Sequence, residues 1–96
     1  MPTLHIEHAI TDLNTWLGAF GSFADARKNA GVVTERLRQP VDDERYIVVD
    51  LEFATVEAAG AFKGFLEEVV WQSRDLSPGL DGVPIARILH DVPAAD

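Results

Sequence analysis

Thr3-Leu4-His5-Ile6-Glu7-His8-Ala9-Ile10, followed by Thr11-Asp12 and then by Leu13, Trp16, Leu17, Phe20, Phe23 and Ala24, decides the fold. The first eight residues alternate. Leu4, Ile6, His8 and Ile10 share one face, and Thr3, His5, Glu7 and Ala9 share the other, the period of two that marks a half-buried strand. Thr11-Asp12 then offers side-chain oxygens to the orphan N–H groups of a helix start. The apolar residues beyond it recur at helical spacing and form one stripe. Arg27 and Lys28 fall in the last turn, where cations complement the macrodipole, and Gly31 is a natural stop. The pattern predicts one helix from Leu13 to the Arg27-Lys28 turn. Gly18 and Gly21 inside it each cost about 1 kcal/mol against Ala, marking either a close packing contact or a weak helix.

Outward from this opening, Val32 to Gln39 reads as a second strand, and its charges Glu35, Arg36 and Arg38 suit an edge. Pro40-Val41-Asp42-Asp43-Glu44 is a polar turn. Arg45 to Phe53 alternates most strongly, with Ile47, Val49, Leu51 and Phe53 on one face. Thr55 caps a second helix with Glu57 in its first turn. Ala59, Phe62, Leu66, Val69 and Ser73 make its main stripe, Phe65 and Val70 widen it, and Trp71 falls off it. Ser77-Pro78-Gly79 and Asp81-Gly82 are turn signals. Pro84 to Val92 is the last strand, and Pro93-Ala94-Ala95-Asp96 a frayed tail.

The element order is therefore β-α-β-β-α-β, which predicts an α+β, ferredoxin-like fold over residues 1–96 as a single domain. It has a four-stranded antiparallel sheet in the order 4-1-3-2, with both helices on one face. The other face carries His5, Glu7, Tyr46, Val48, Asp50, Ile85, Arg87 and Leu89. That mixture is too apolar to be wholly solvated and too polar to be a plain core. The simplest cover for such a face is a second copy across a two-fold axis, so a homodimer is expected.

Composition narrows the partners. The formal net charge of −8 argues against nucleic acid and anionic membrane surfaces, which attract basic proteins. No apolar run approaches the ~18 residues of a membrane span. The start of the chain is not signal-like, and cysteine is absent, so a cytoplasmic location is expected. With no H-x-x-x-H or H-E-x-x-H pattern and no Cys cluster, no metal site is expected. No Gly-rich phosphate loop and no G-x-S-x-G serine occur either, and no cofactor is expected.

The residues with chemical potential are few. His5, Glu7, Asp50 and Arg87 meet on one sheet face by parity. A histidine beside carboxylates can be tuned as a base near neutral pH, and an arginine can hold a carboxylate or enolate. The same four residues also fit an interface salt-bridge network. His8 and Trp16 are candidates to line a ligand cavity, or to be ordinary core residues. Tyr46 offers a hydroxyl to orient a phenol or carbonyl, and Trp71 a cap for a pocket mouth or a partner contact.

The run His8-Ala9-Ile10-Thr11-Asp12-Leu13-Asn14-Thr15-Trp16, with Phe20 after it, resembles the strand-to-helix opening of dimeric α/β-barrel proteins. Gly31, the Asp42-Asp43 turn, Glu52-Phe53, Ala58-Ala59, Phe62 and Val83-Pro84 recur in the same order, so the resemblance covers nearly the whole chain. The superfamily contains antibiotic-biosynthesis monooxygenases, haem-degrading oxygenases, muconolactone isomerases and polyketide cyclases, besides many small members of no known activity. The resemblance implies two sheets facing each other across a dimer. It also implies a cavity between each sheet and its own helices or at the barrel interior. The activity implied is that of a cofactor-independent oxygenase, isomerase or cyclase on a small aromatic or polyketide-like substrate. The alternative is a non-catalytic dimer that holds a hydrophobic metabolite or a partner. His8 occupies the position of the family's opening motif. Haem-degrading members use an Asn on the first strand and a His on the second helix. This chain has His5 and His8 on the first strand and no His in the second helix, so the resemblance does not extend to haem degradation.

Overall fold

The computed structural model describes residues 1–94. Its elements are β1 (Thr3–Ile10), α1 (Leu13–Ser22), α2 (Ala24–Ala30), β2 (Val32–Arg38), β3 (Tyr46–Phe53), α3 (Val56–Phe65), a π-helical turn (Leu66–Val70) and β4 (Leu80–Leu89). The four strands form one antiparallel sheet in the order β2-β3-β1-β4, the expected ferredoxin-like topology.

Register explains where the core sits. Leu4 stands opposite Leu51 and Ile88, and Ile6 opposite Val49 and Ala86, so the apolar rows of β1, β3 and β4 coincide on one face. Trp16, Ala59 and Phe62 pack on that face from the helices. Leu4, Ile10 and Phe53 are fully buried, each burial stabilising by about 1.5–3 kcal/mol. Asp12 caps α1 by accepting the Thr15 N–H at 2.8 Å, and Thr55 caps α3 by accepting the Ala58 N–H at 3.1 Å.

Three elements depart from the sequence reading, and each departure shapes the site. The first helix is two helices that meet at Phe23, whose ψ of 15° leaves the helical region. Gly21 weakens the turn before the break, and Ser22 Oγ donates to the Ala19 carbonyl at 2.6 Å, a back-bond that bends helices. Gly18 and Gly21 make no close contact, so they mark a weak helix and not a packing point.

The second helix does not continue to Ser73 as a regular stripe. Its end is a π turn in which the Trp71 N–H reaches the Leu66 carbonyl at 2.8 Å. The extra residue in that turn moves the inward position from Val69, which is exposed, to Val70, which is buried. Ser73 lies beyond the turn and instead accepts the Ser77 hydroxyl on its carbonyl at 2.6 Å.

The last strand runs over Leu80–Leu89 and not Pro84 to Val92. Asp81-Gly82 does not turn the chain; its φ of 84° at Gly82 is absorbed in an irregularity where the β1–β4 register shifts between Glu7 and Ala9. Pro84 is tolerated because β4 is an edge strand. Of the expected frayed tail, Ala95 and Asp96 lie outside the described residues. Among those described, no helix is long and apolar enough to cross a membrane.

Candidate functional site

The sheet has two faces, and the candidate residues divide between them. His8, Trp16 and Trp71 lie on the helix side. His5, Glu7, Tyr46, Asp50 and Arg87 lie on the outer side.

On the helix side a cavity of about 80 Å³ lies between sheet and helices. Ile6, Val49 and Leu51 form its floor. Trp16, Ala19, Phe20 and Phe23 come from the first helical layer, and Phe62, Leu66, Val70 and Trp71 from the second. The stretch from Leu76 to Leu80 closes one end. Gly79 makes that closure close-fitting. Its φ is 87°, and a Cβ there would come within 2.9 Å of the Trp16 backbone nitrogen. Its carbonyl accepts the Thr11 N–H at 2.9 Å, which ties the loop to the start of α1. Trp16 stacks on Phe20, with centroids 5.0 Å apart and planes 22° from parallel, and His8 sits with its ring centroid 6.2 Å from that of Trp16.

Among the described residues, two that line the cavity ionise, His8 and Arg27. His8 is 5% exposed. Its Nδ1 donates to the Ala9 carbonyl at 2.8 Å, which accepts only, so the neutral ring carries its proton there and Nε2 keeps a lone pair. Burial holds this imidazole below its ordinary value, against a smaller upward pull from the Ala9 bond. His8 is thus a neutral base facing an apolar space.

Arg27 is the residue that sequence reading missed. It also is 5% exposed. Its guanidinium lies 3.5 Å from the centroid of Phe20, donates from Nε to the Glu35 carboxylate and from Nη1 to the Phe20 carbonyl. The signal was available: Trp16, Phe20, Phe23 and Arg27 follow one another at i, i+4, i+7 and i+11 on a single stripe. Assigning the arginine to the macrodipole hid it.

On the outer face the register sets His5 opposite Asp50 and Arg87. His5 bridges two carboxylates, with Nδ1 2.6 Å from Asp50 Oδ1 and Nε2 2.8 Å from Glu7 Oε2. Tyr46 donates its hydroxyl to Glu7 Oε1 at 2.7 Å, and Arg38 donates to Asp50 Oδ2 at 2.6 Å. The hydrogen bond to Glu7, with further help from Asp50, raises the His5 pKa despite some burial. Glu7 is held below its ordinary value by His5 first and Tyr46 next, and the Tyr46 phenol is raised by Glu7. Both ring nitrogens face carboxylates, so His5 is an imidazolium clamped on either side. Arg87 makes no hydrogen bond in this network, and Arg38, from the edge strand, takes the place expected of it. Tyr46 belongs to this network and is separated by the sheet from His8, Trp16 and Trp71. His90 is exposed, its only hydrogen bond among the described residues being to the neighbouring Asp91 carbonyl at 3.2 Å. Among the described residues, no three His, Cys, Asp or Glu side chains are arranged to hold a metal ion.

No protein-family model matches the chain, and no curated protein sequence matches it. Solved structures do match. The fold is shared with a crystal structure of an antibiotic biosynthesis monooxygenase, with a TM-score of 0.68, 12% identity, and 97% of this chain and 100% of that one covered. A dimeric ferredoxin-like protein from an uncultured marine organism matches with a TM-score of 0.62 at 13% identity, over 95% of this chain and 97% of the other. A Streptomyces coelicolor monooxygenase in complex with nanaomycin D matches with a TM-score of 0.63 at 14% identity, over 98% of this chain and 89% of that one. The chain therefore has the α+β, ferredoxin-like fold of the monooxygenase-like and dimeric ferredoxin-like proteins. The likeness at these identities is one of fold, and function must be argued from the site.

Proposed function

We propose that this chain forms a homodimer through its outer sheet face. In each subunit it binds a small phenolic aromatic between sheet and helices, where His8 serves as the base of a cofactor-independent oxygenase. The observation that carries this reading is the lone pair of His8 Nε2, held neutral by burial in a cavity otherwise walled by Trp16, Phe20 and Trp71. A buried base of lowered pKa suits proton transfer from a weak acid. Taking the phenolic proton yields an electron-rich phenolate that dioxygen can attack. One phenol and one dioxygen then give one quinone and one water, with no outside reductant.

The dimer has its own support. Ile85 and Leu89 stand exposed on the outer face beside half-buried Val48. Arg36, Arg38 and Arg87 on that face balance Glu7, Asp50 and Glu52, so the overall charge of −8 does not oppose self-association there. In this reading the His5 network, first expected to be catalytic, is part of the interface. Two of the matched folds are described as dimeric ferredoxin-like proteins.

Both tryptophans line the cavity, so intrinsic fluorescence reports its occupation. Titration with 3-methylphenol should quench or shift the emission, and oxygen uptake with that probe should exceed the protein-free rate. His8→Gln should retain the fluorescence response and lose the uptake by 100-fold or more, about the scale of general base catalysis. Binding without uptake in the native chain would instead support a non-catalytic carrier, and absence of binding would overturn both readings.

A further inference from the structure

Arg27 is a buried cation that the proposed proton transfer does not use. Of the five N–H groups of its guanidinium, one is taken by Glu35 and one by the Phe20 carbonyl. Neither Nη2 proton has a partner among the described residues. Yet no buried side-chain nitrogen or oxygen among those residues lacks a partner entirely, so Nη2 reaches open space. Arg27 lines the cavity and is 5% exposed, which leaves that cavity as the space its free N–H groups can serve.

Two features hold the group in place. The Phe20 ring lies 3.5 Å from its central carbon, and Glu35 fixes the Nε edge. The Nη2 side is left as a fixed donor pair in an apolar wall. Along this wall His8, Trp16, Phe20 and Arg27 follow one another in contact. A ring held in this cavity would thus meet a neutral base toward one end of the wall and a guanidinium toward the other.

We propose that the ligand of this cavity is an aromatic hydroxy acid, whose carboxylate pairs with the free Nη2 edge of Arg27 and whose hydroxyl is presented to His8 Nε2. This rests on the helix-side ligand reading above and adds the anionic group. Charge-assisted hydrogen bonds from arginine to a carboxylate are strong and directional, and strongest where water is excluded. The pair Arg27–Glu35 is neutral overall, and the half-exposed Glu35 tempers the site without filling the cavity edge of the guanidinium.

The test compares 3-hydroxybenzoate with 3-methylphenol, which has a methyl group in place of the carboxylate, by tryptophan fluorescence at low salt. The native chain should bind the acid at least 10-fold more tightly. Arg27→Gln should erase that preference while still binding 3-methylphenol. Glu35→Gln, which keeps a hydrogen-bond acceptor for Nε and leaves Arg27 in place, should enlarge the preference several-fold and guards against a misfolded Arg27 variant. Equal binding of the two probes by the native chain overturns the hydroxy-acid inference alone. So does a preference that survives Arg27→Gln or fails to grow in Glu35→Gln. Binding of neither probe overturns the inference together with the ligand reading beneath it.

Discussion

His5 and His8 lie three positions apart on one strand and meet opposite surroundings, because a strand sends alternate side chains to opposite faces. Their titrations carry opposite signs. The folded His5 value lies above 6.5, so its contribution to stability is complete below 6.5 and fades as pH rises through the folded value. Glu7 is held below its ordinary 4.5, so its contribution is complete above 4.5 and fades as pH falls through its folded value. Buried His8 takes a proton less readily than the unfolded chain does, so it costs stability as pH falls below 6.5. Urea midpoints between about pH 5 and 8 should show this. His8→Gln should lessen the loss of stability on acidification. His5→Gln should lower the midpoint more at the acid end than at the alkaline end. Equal effects of either substitution across the range would contradict these assignments. Parity made the division of the two histidines legible in the sequence. What it could not give was the partners: His5 takes Asp50 from β3 and Glu7 from its own strand, and Arg38 joins from an edge strand whose register no local pattern fixes.

At the scale of the elements, the two ends of the cavity depend on irregularities. Strands β1 and β3 and the two caps were legible because their signals are local: alternation in Thr3–Ile10 and Tyr46–Phe53, and the side-chain oxygens of Asp12 and Thr55. The break at Phe23 and the π turn were not, since each is a small local cost set against tertiary packing. Arg27 stays on the stripe of Trp16 and Phe20 across the break, and the π turn ends at Trp71 on the cavity wall. Deleting the exposed Glu68 should return that turn to α geometry with the Trp71 N–H still on the Leu66 carbonyl, now four residues before it, so that Trp71 keeps its place on the cavity wall. The variant should keep both the far-UV circular dichroism of the native chain and the fluorescence response to 3-methylphenol; a lost response would show that Trp71 is not placed by its bond to Leu66. Glycines sharpen the same point. Gly18→Ala, in open space on α1, should stabilise by about 0.5–1 kcal/mol. Gly79→Ala should destabilise by more than about 1 kcal/mol, because its φ is positive and the Trp16 backbone stands in the way. Thermal midpoints of the two variants moving in the same direction would refute this role for the loop.

For the whole molecule, one sheet serves two purposes. Its helix side holds the core and the cavity, and its outer side holds a balanced ionic network with an apolar fringe that suits a second copy. A buried network of this kind costs desolvation and gains mainly specificity, so removing one partner should weaken the dimer. Asp50→Ala leaves His5 and Arg38 facing an empty position. It should raise the dimer dissociation constant by 10-fold or more in analytical ultracentrifugation while the chain stays folded, and an unchanged constant would place the interface elsewhere. Fold and topology were legible from the β-α-β-β-α-β order. The choice between the two faces as the site was not, because it turns on a cavity that only packing creates.

The most direct test of the helix-side site is the imidazole ¹⁵N spectrum of the three histidines during titration with 3-hydroxybenzoate. The His8 ring resonances should move to saturation while those of His5 and His90 stay in place. Movement of His5 with His8 unchanged would put the ligand on the outer face and contradict a site between sheet and helices.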